Sequence, residues 1–260
     1  MSNASEHEFL GKAKPYGTVL IKASSIISTL VKNKTPLTLT AISKKTGLSR
    51  STTLKILDTL GMIGYVRKDK NAKYTLGSEL IQLANEYVRN LDIYRVCYPY
   101  LKQLHNEFDE TVHLGILDNR QVIIIYKLET QKPVVCVNSG PSNRPLYCTA
   151  MGKAILADFT PDMLEAYLAD TDLVPYTSKT ITNPGALREN LVQIARQGYA
   201  VDDNEIEQDV YCLGVSISKW NEPAAISIST PTYRMNPELE RRIVERLLEL
   251  KRQIAIELDK

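Results

Sequence analysis

Several residues in this 260-residue sequence are of types that could do chemistry. Cys212 and His113 are the partners of a nucleophile–base pair. Nothing in their spacing brings them together or supplies an oxyanion hole, so a small buried thiol and a strand histidine are the plainer reading. Asp202 and Asp203 are hard oxygen ligands, but two adjacent aspartates do not make a cation site. Gly152-Lys153 resembles the end of a phosphate loop whose earlier glycine is missing. Thr149 opens a helix whose first N–H groups could meet an anion or simply be capped. The cysteines at 97, 136, 148 and 212 form no metal knuckle, and the three histidines have no metal-binding spacing. No catalytic residue, metal or cofactor is therefore expected, and the chain does not read as an enzyme.

Charge points elsewhere. The whole chain carries a net charge of +2. Residues 14–76 hold 12 basic and 2 acidic side chains, a net of +10, while the remainder holds 20 basic and 28 acidic, a net of −8. A chain so polarised has one part suited to a polyanion. Its 43% hydrophobic and 24% charged content is that of a soluble globular protein. No apolar run approaches the roughly 18 residues that span a bilayer. Residues 1–14 read as a polar, flexible arm without a secretory signal, so the expected compartment is the cytoplasm, with free thiols and no membrane partner.

The basic segment must position its cations, and its pattern says how. Apolar residues recur at helical spacing over 18–32, and Asn33-Lys34-Thr35-Pro36 breaks that helix. Thr38 caps a short helix over 39–45 that stops at Gly47; Ser49 caps the next, which runs to about Met62. Helix, glycine turn, helix is the helix-turn-helix order. Thr53, Ile56, Leu57 and Leu60 make the buried stripe of the last helix. Ser49, Arg50, Ser51, Thr52, Leu54 and Lys55 lie away from it, in the half that enters a major groove. Arg50 suits a guanine or a phosphate, Ser51 and Thr52 are short donors, and Leu54 suits a thymine methyl. Two short strands follow around Asp69-Lys70-Asn71. This wing offers Arg67, Lys68, Lys70 and Lys73 to a phosphate backbone or a minor groove.

The expected division is an arm at 1–14, a winged helix-turn-helix at 15–76, a linker helix at 77–91 and an α+β domain at 92–260. The linker is amphipathic, and its apolar face could pair between subunits or pack within one chain. Beyond it come a helix over 93–108 and strands over 111–117, 121–128 and 134–138. A loop over 139–146 leads to a helix over 149–158, and another helix follows Thr160-Pro161. A helix over 184–196, three strands over 199–202, 212–218 and 224–230, and a closing helix from Pro237 complete an α+β order.

Taken together, these pieces resemble the IclR family of bacterial transcription regulators, from about Val19 to the C-terminus. The resemblance rests on Pro36-Leu37-Thr38-Leu39 with Thr46-Gly47-Leu48-Ser49-Arg50-Ser51-Thr52, then Gly64-Tyr65-Val66 and Tyr74-Thr75-Leu76-Gly77. It continues in Glu110-Thr111-Val112-His113-Leu114, Thr149-Ala150-Met151-Gly152-Lys153-Ala154, Gly198-Tyr199-Ala200-Val201-Asp202-Asp203-Asn204-Glu205 and Ser227-Ile228-Ser229. What it implies is a sequence-specific regulator of double-stranded DNA with a GAF/PAS-like effector domain. It also implies homodimers, often paired into homotetramers, on palindromic operators, and a small organic effector, frequently a carboxylate or an aromatic breakdown product. The effector pocket of relatives falls here on the backbone of Ala150 and Met151 and on Asp202, Cys212, Ser227 and Ser229. Leu54 departs from the family's usual polar residue. Leu213-Gly214-Val215-Ser216 departs from its alanine-proline run after the cysteine.

The two serines sit two apart on an expected strand and so share a face, which puts Ile228 on the other side, toward a core. N–H groups near Ala150 and Met151 would suit a carboxylate or carbonyl oxygen, and Asp202 a ligand hydroxyl or amine.

The charge distribution makes a first prediction. DNA affinity should fall steeply with salt, because each neutralised phosphate releases counterion, and Lys70→Ala or Lys73→Ala should weaken all sequences alike and flatten that slope. Fluorescence anisotropy across a salt series measures it; salt-independent binding would contradict the reading.

Overall fold

A computed structural model of the protein describes residues 16–33, 35–132, 143–217 and 223–258. The arm expected at 1–14 and the strand expected at 134–138 lie outside the described residues. The chain divides into two units between Tyr87 and Val88.

In the first unit, α1 (Thr18–Val31) is followed by β1 (Leu37–Thr38), α2 (Leu39–Thr46), α3 (Arg50–Met62), β2 (Val66–Lys68) and β3 (Lys73–Leu76). α4 (Glu79–Asn90) crosses the division. The caps fall where the side chains ask for them. Thr38 Oγ1 accepts from Ala41 N at 3.3 Å and Ser49 Oγ from Thr52 N at 3.2 Å. Gly47 ends α2 at φ +69°, a left-handed turn that a side chain would strain. Ile26, Leu30, Ile42, Ile56, Leu57, Leu60, Val66 and Tyr74 bury together and lock α1, α2 and α3 against the sheet. That sheet has three strands, β1-β3-β2, because Leu37-Thr38 pairs with Lys73-Tyr74. A two-residue strand has no periodicity to read, so only the hairpin was foreseeable.

The second unit is built on six antiparallel strands in the order β6-β5-β4-β9-β8-β7. These are β4 (Thr111–Asp118), β5 (Gln121–Leu128), β6 (Asn143–Pro145), β7 (Ala200–Asp203), β8 (Val210–Ile217) and β9 (Ala224–Pro231). Three residues of the expected loop thus form an edge strand. α5 (Asp92–Phe108) and α9 (Pro237–Leu258) pack on one face, where Val112, Leu114, Leu213, Val215, Ile226 and Ile228 meet Leu104 and Leu247. α6 (Ala150–Leu156), α7 (Pro161–Ala169) and α8 (Pro184–Gln197) share a second core with Val122, Ala200 and Ala225. Alternation along each strand sends one set of side chains to each face.

One ion cluster ties the α5–β4 corner. Glu110 is 1% exposed. Its Oε1 accepts from Arg234 Nε at 2.9 Å and Lys132 Nζ at 3.0 Å, and its Oε2 from Arg234 Nη2 at 2.7 Å. The forked guanidinium matches both oxygens and offsets the cost of burying the charge. Glu110→Ala should therefore lower the unfolding free energy of this unit by about 3 kcal/mol, since it strands a partly buried arginine. Urea denaturation followed by circular dichroism measures the change; a loss below about 0.5 kcal/mol, typical of a surface change, would show the cluster to be decorative.

Candidate functional site

On the first unit, Ser49, Arg50, Ser51, Leu54 and Lys55 are exposed, and Thr52 is half-buried. Thr53, Ile56, Leu57 and Leu60 are buried behind them, as the spacing predicts. Ser49 is engaged as a cap. Its hydroxyl donates to Thr52 Oγ1 at 2.9 Å and lies 3.2 Å from Ser51 Oγ, so Ser51 and Thr52 are held close to the helix start. Arg67, Lys68, Lys70 and Lys73 are all exposed on the wing, with Lys68 5.5 Å from the centre of the Tyr74 ring. Asp69, one of the two acids in the basic segment, has a local job. Its Oδ1 accepts from Asn71 N at 2.8 Å and Lys73 N at 2.9 Å, which closes the wing tip around Ala72 at φ +57°.

In the second unit, the pairing register assembles the predicted residues. Asp202 stands beside Cys212, Cys212 beside Ser229, and Ser229 beside Thr111, in one row across β7, β8, β9 and β4. The next row on the same face runs Ala200, Gly214, Ser227, His113 and Lys127. Asp202, Cys212, Ser227, Ser229, Thr111 and His113 are all buried. Cys212 Sγ and Ser229 Oγ are 3.1 Å apart. Ile228 faces the opposite core, as expected. His113 and Cys212 do share this face, but β9 lies between their strands.

Gly214 lets α6 reach this floor. A Cβ at Gly214 would stand 2.9 Å from the Ala150 carbonyl carbon and 3.1 Å from Met151 N, so only a bare backbone fits. Ala150 and Met151 are thereby set directly over β8. Thr149 caps α6, accepting from Gly152 N at 3.1 Å and donating to Pro145 O at 2.8 Å. Lys153, 1% exposed, forms a buried ion pair with Glu205. Glu205 N in turn donates to Asp202 Oδ1 at 2.8 Å, and Asp202 Oδ2 is buried without a hydrogen-bond partner among the described residues. Asp203 points away and pairs with Lys179 at 2.7 Å, so the two aspartates do not converge. Among the described residues no cluster has a metal-ligand set.

Burial sets the protonation here. It pushes the Asp202 carboxyl up to about 7, with nearby Glu205 raising it further against the backbone N–H it accepts. Burial, with Lys127 and Arg144 nearby, pushes His113 down to about 3 and keeps its ring neutral. Burial also raises the Glu205 carboxyl, against the pull of Lys153. Sequence reasoning missed Thr111 and His113 as floor residues, and the Lys153–Glu205 pair altogether. The first two were open to discovery, since Thr111-Val112-His113-Leu114 alternates polar and apolar as Ser227-Ile228-Ser229 does. The pair joins positions far apart in sequence and leaves no local signal.

A winged helix with a cationic face, joined to a sheet unit with a buried polar floor, defines a ligand-sensing DNA-binding regulator. The chain belongs to the IclR family of bacterial transcriptional regulators. Residues 19–70 match the IclR helix-turn-helix domain, and residues 85–256 match the bacterial transcriptional regulator IclR C-terminal domain. The chain is 34% identical to the HTH-type transcriptional regulator XynR of Escherichia coli (strain K12), over 83% of this chain and 86% of the relative. It is similar to the Thermotoga maritima IclR crystal structure at 31% identity and a TM-score of 0.73, covering 94% and 100% of the two chains. An IclR homologue from Microbacterium hydrocarbonoxydans complexed with 4-hydroxybenzoate shares the fold at 24% identity and a TM-score of 0.79, over 93% and 99%. The protein is thus a DNA-binding transcription regulator with a C-terminal effector-binding domain, in a family that is not enzymatic. No helix among the described residues is long and apolar enough to cross a membrane.

The raised Asp202 value has a definite sign. Stability that depends on a protonated Asp202 is fully present below about pH 4 and is lost as pH rises through about 7. Asp202→Asn keeps the acceptor oxygen and removes the charge. Relative to the unaltered protein, this variant should gain stability progressively between those limits in urea denaturation. Parallel pH profiles for the two proteins would contradict the assignment.

Proposed function

We propose that this regulator binds palindromic operators as a homodimer or a pair of dimers, in the cytoplasm, and that a small organic effector on the polar sheet face sets its DNA affinity. The observation that carries the reading is the floor itself. Six neighbouring polar or thiol side chains are buried together, and Asp202 Oδ2 lacks a hydrogen-bond partner among the described residues. Unpaired buried polar atoms cost free energy that a ligand can recover. Asp202 would accept from a ligand hydroxyl or amine. Cys212, Ser227 and Ser229 would contact its body, and the N–H groups of Ala150 and Met151 a carbonyl oxygen. The recognition helix would use Ser49, Arg50, Ser51, Thr52, Leu54 and Lys55 in the major groove, and the wing Arg67, Lys68, Lys70 and Lys73 on phosphates. Ile81, Leu83 and Tyr87 on α4 are exposed, which supports pairing between subunits through the linker helix.

Calorimetry tests the site. The full-length protein would be titrated with 4-hydroxybenzoate, lactate, glycolate and 4-hydroxybutanoate, the first because a relative of this fold is complexed with it. Ser229→Ala and Asp202→Asn should each weaken the acid that binds, with effector-free DNA binding nearly intact. Unchanged affinity in both variants would place the pocket elsewhere. Footprinting should meanwhile show two half-sites related by a two-fold axis; a single asymmetric half-site would refute the dimer.

A further inference from the structure

The orientation of Asp202 is set by a segment that lies outside the polar floor. Residues 171–182 join Asp170, the cap that ends α7, to Asn183, the cap that opens α8, and form neither helix nor strand. A connection of this length without structure of its own is uncommon in a compact unit and tends to serve a site. This one is anchored at two places. Toward β7, Thr180 Oγ1 donates to Glu205 O at 2.6 Å and Thr177 Oγ1 donates to Asn204 O at 2.6 Å. Toward α6, Val174 O accepts from Tyr147 Oη at 2.7 Å, three residues before Ala150. The Tyr147 and Tyr176 rings pack at 6.5 Å between centres. The segment is a strap that ties the loop after β7 to the start of α6.

Thr180 is the centre of the strap. It is buried. Its hydroxyl oxygen accepts from Tyr176 N at 3.0 Å and Thr177 N at 2.9 Å, while its proton goes to Glu205 O. The one donor and two acceptor positions of a hydroxyl are thus all used. Thr177 Oγ1 lies 3.4 Å from the same carbonyl, so Thr180 supplies the short bond. Glu205 is also the residue whose N–H donates to Asp202 Oδ1 and whose carboxylate pairs with Lys153 of α6. Thr180 therefore holds the carbonyl of the one residue that orients Asp202. A valine at 180 keeps the shape but leaves that carbonyl and two strap N–H groups without their hydroxyl partner. We propose that Thr180 is a positioning residue for effector binding: through Glu205 it holds the Asp202 carboxylate in place to meet the ligand. This rests on the reading that the effector occupies the polar face, and it adds the residue outside that face on which the carboxylate depends.

Thr180→Val and Thr180→Ser in the full-length protein test this. Hydrogen exchange read by mass spectrometry needs no effector. Thr180→Val should speed exchange in the peptides spanning 174–178 and 203–206 and leave α9 unchanged, and Thr180→Ser should exchange like the unaltered protein. Calorimetry with the same four acids follows. Thr180→Val should weaken the acid that binds by about 10-fold, the low end for losing a hydrogen bond to a charged group, while effector-free operator affinity stays the same. Thr180→Ser should restore the affinity. Combined with Asp202→Asn, the two losses should be less than additive, because both act through one group; combined with Ser229→Ala, they should add. Additive losses in both pairs would reduce Thr180 to a general support of the fold and overturn the proposal. So would unchanged exchange or affinity in Thr180→Val, a Thr180→Ser variant that restores neither, or no binding of any of the four acids. If Thr180→Val binds normally but Ser229→Ala does not, the polar face is the site and only this assignment fails. If Thr180→Val, Ser229→Ala and Asp202→Asn all bind normally, the site itself lies elsewhere.

Discussion

A helix can lie directly on a sheet only where the sheet offers no side chain, and the effector unit depends on one such contact. Gly214 supplies it. The first turn of α6 rests on the β8 backbone at distances that a single methyl would violate. Once that contact is made, Lys153 is carried into the interior and must find a counter-charge, which Glu205 provides from the loop after β7. The same loop presents the Glu205 N–H to Asp202. One bare backbone position thereby sets the start of α6, the buried ion pair and the orientation of Asp202. Breaking a buried pair by removing one partner costs several kcal/mol, so the arrangement is held as a unit rather than as separate contacts.

The DNA-facing unit follows the opposite rule. Its cations are exposed and left without ion pairs among the described residues, which leaves their charge available to a polyanion. The few polar groups that are engaged there serve geometry. Ser49 and Thr38 cap helices, and Asp69 spends its charge on the backbone of the wing tip, leaving the lysines around it uncompensated. The two units thus divide the chemistry. One gathers charge at its surface, and the other buries polarity beneath a helix.

Local signals made much of this legible in the sequence. The stripe Thr53, Ile56, Leu57 and Leu60, the caps at Thr38, Ser49 and Thr149, and the stops at Gly47 and Gly198 all act within a few residues, and all fall where periodicity and cap chemistry place them. Strand alternation was enough to put Ser227 and Ser229 on one face and Ile228 on the other. The strand order was not legible, since β4 pairs with β9 across more than a hundred residues, and it is that pairing that brings Thr111 and His113 to the serines. β1 and β6 were too short to show a period, so Asn143–Pro145 stood in an expected loop. The role of Gly214 was hidden for a related reason: a glycine in a strand signals close approach, but not of what.

A regulator whose effector sets its DNA affinity carries two coupled sites, and coupling between binding sites is reciprocal. The most direct measurement is therefore a closed thermodynamic cycle on the full-length protein. Operator affinity is measured with and without saturating effector, and effector affinity with and without saturating operator. The two ratios should be equal and different from one, and Ser229→Ala should shift the effector concentration at which the change occurs. An effector that binds tightly while leaving operator affinity unchanged would contradict the coupling.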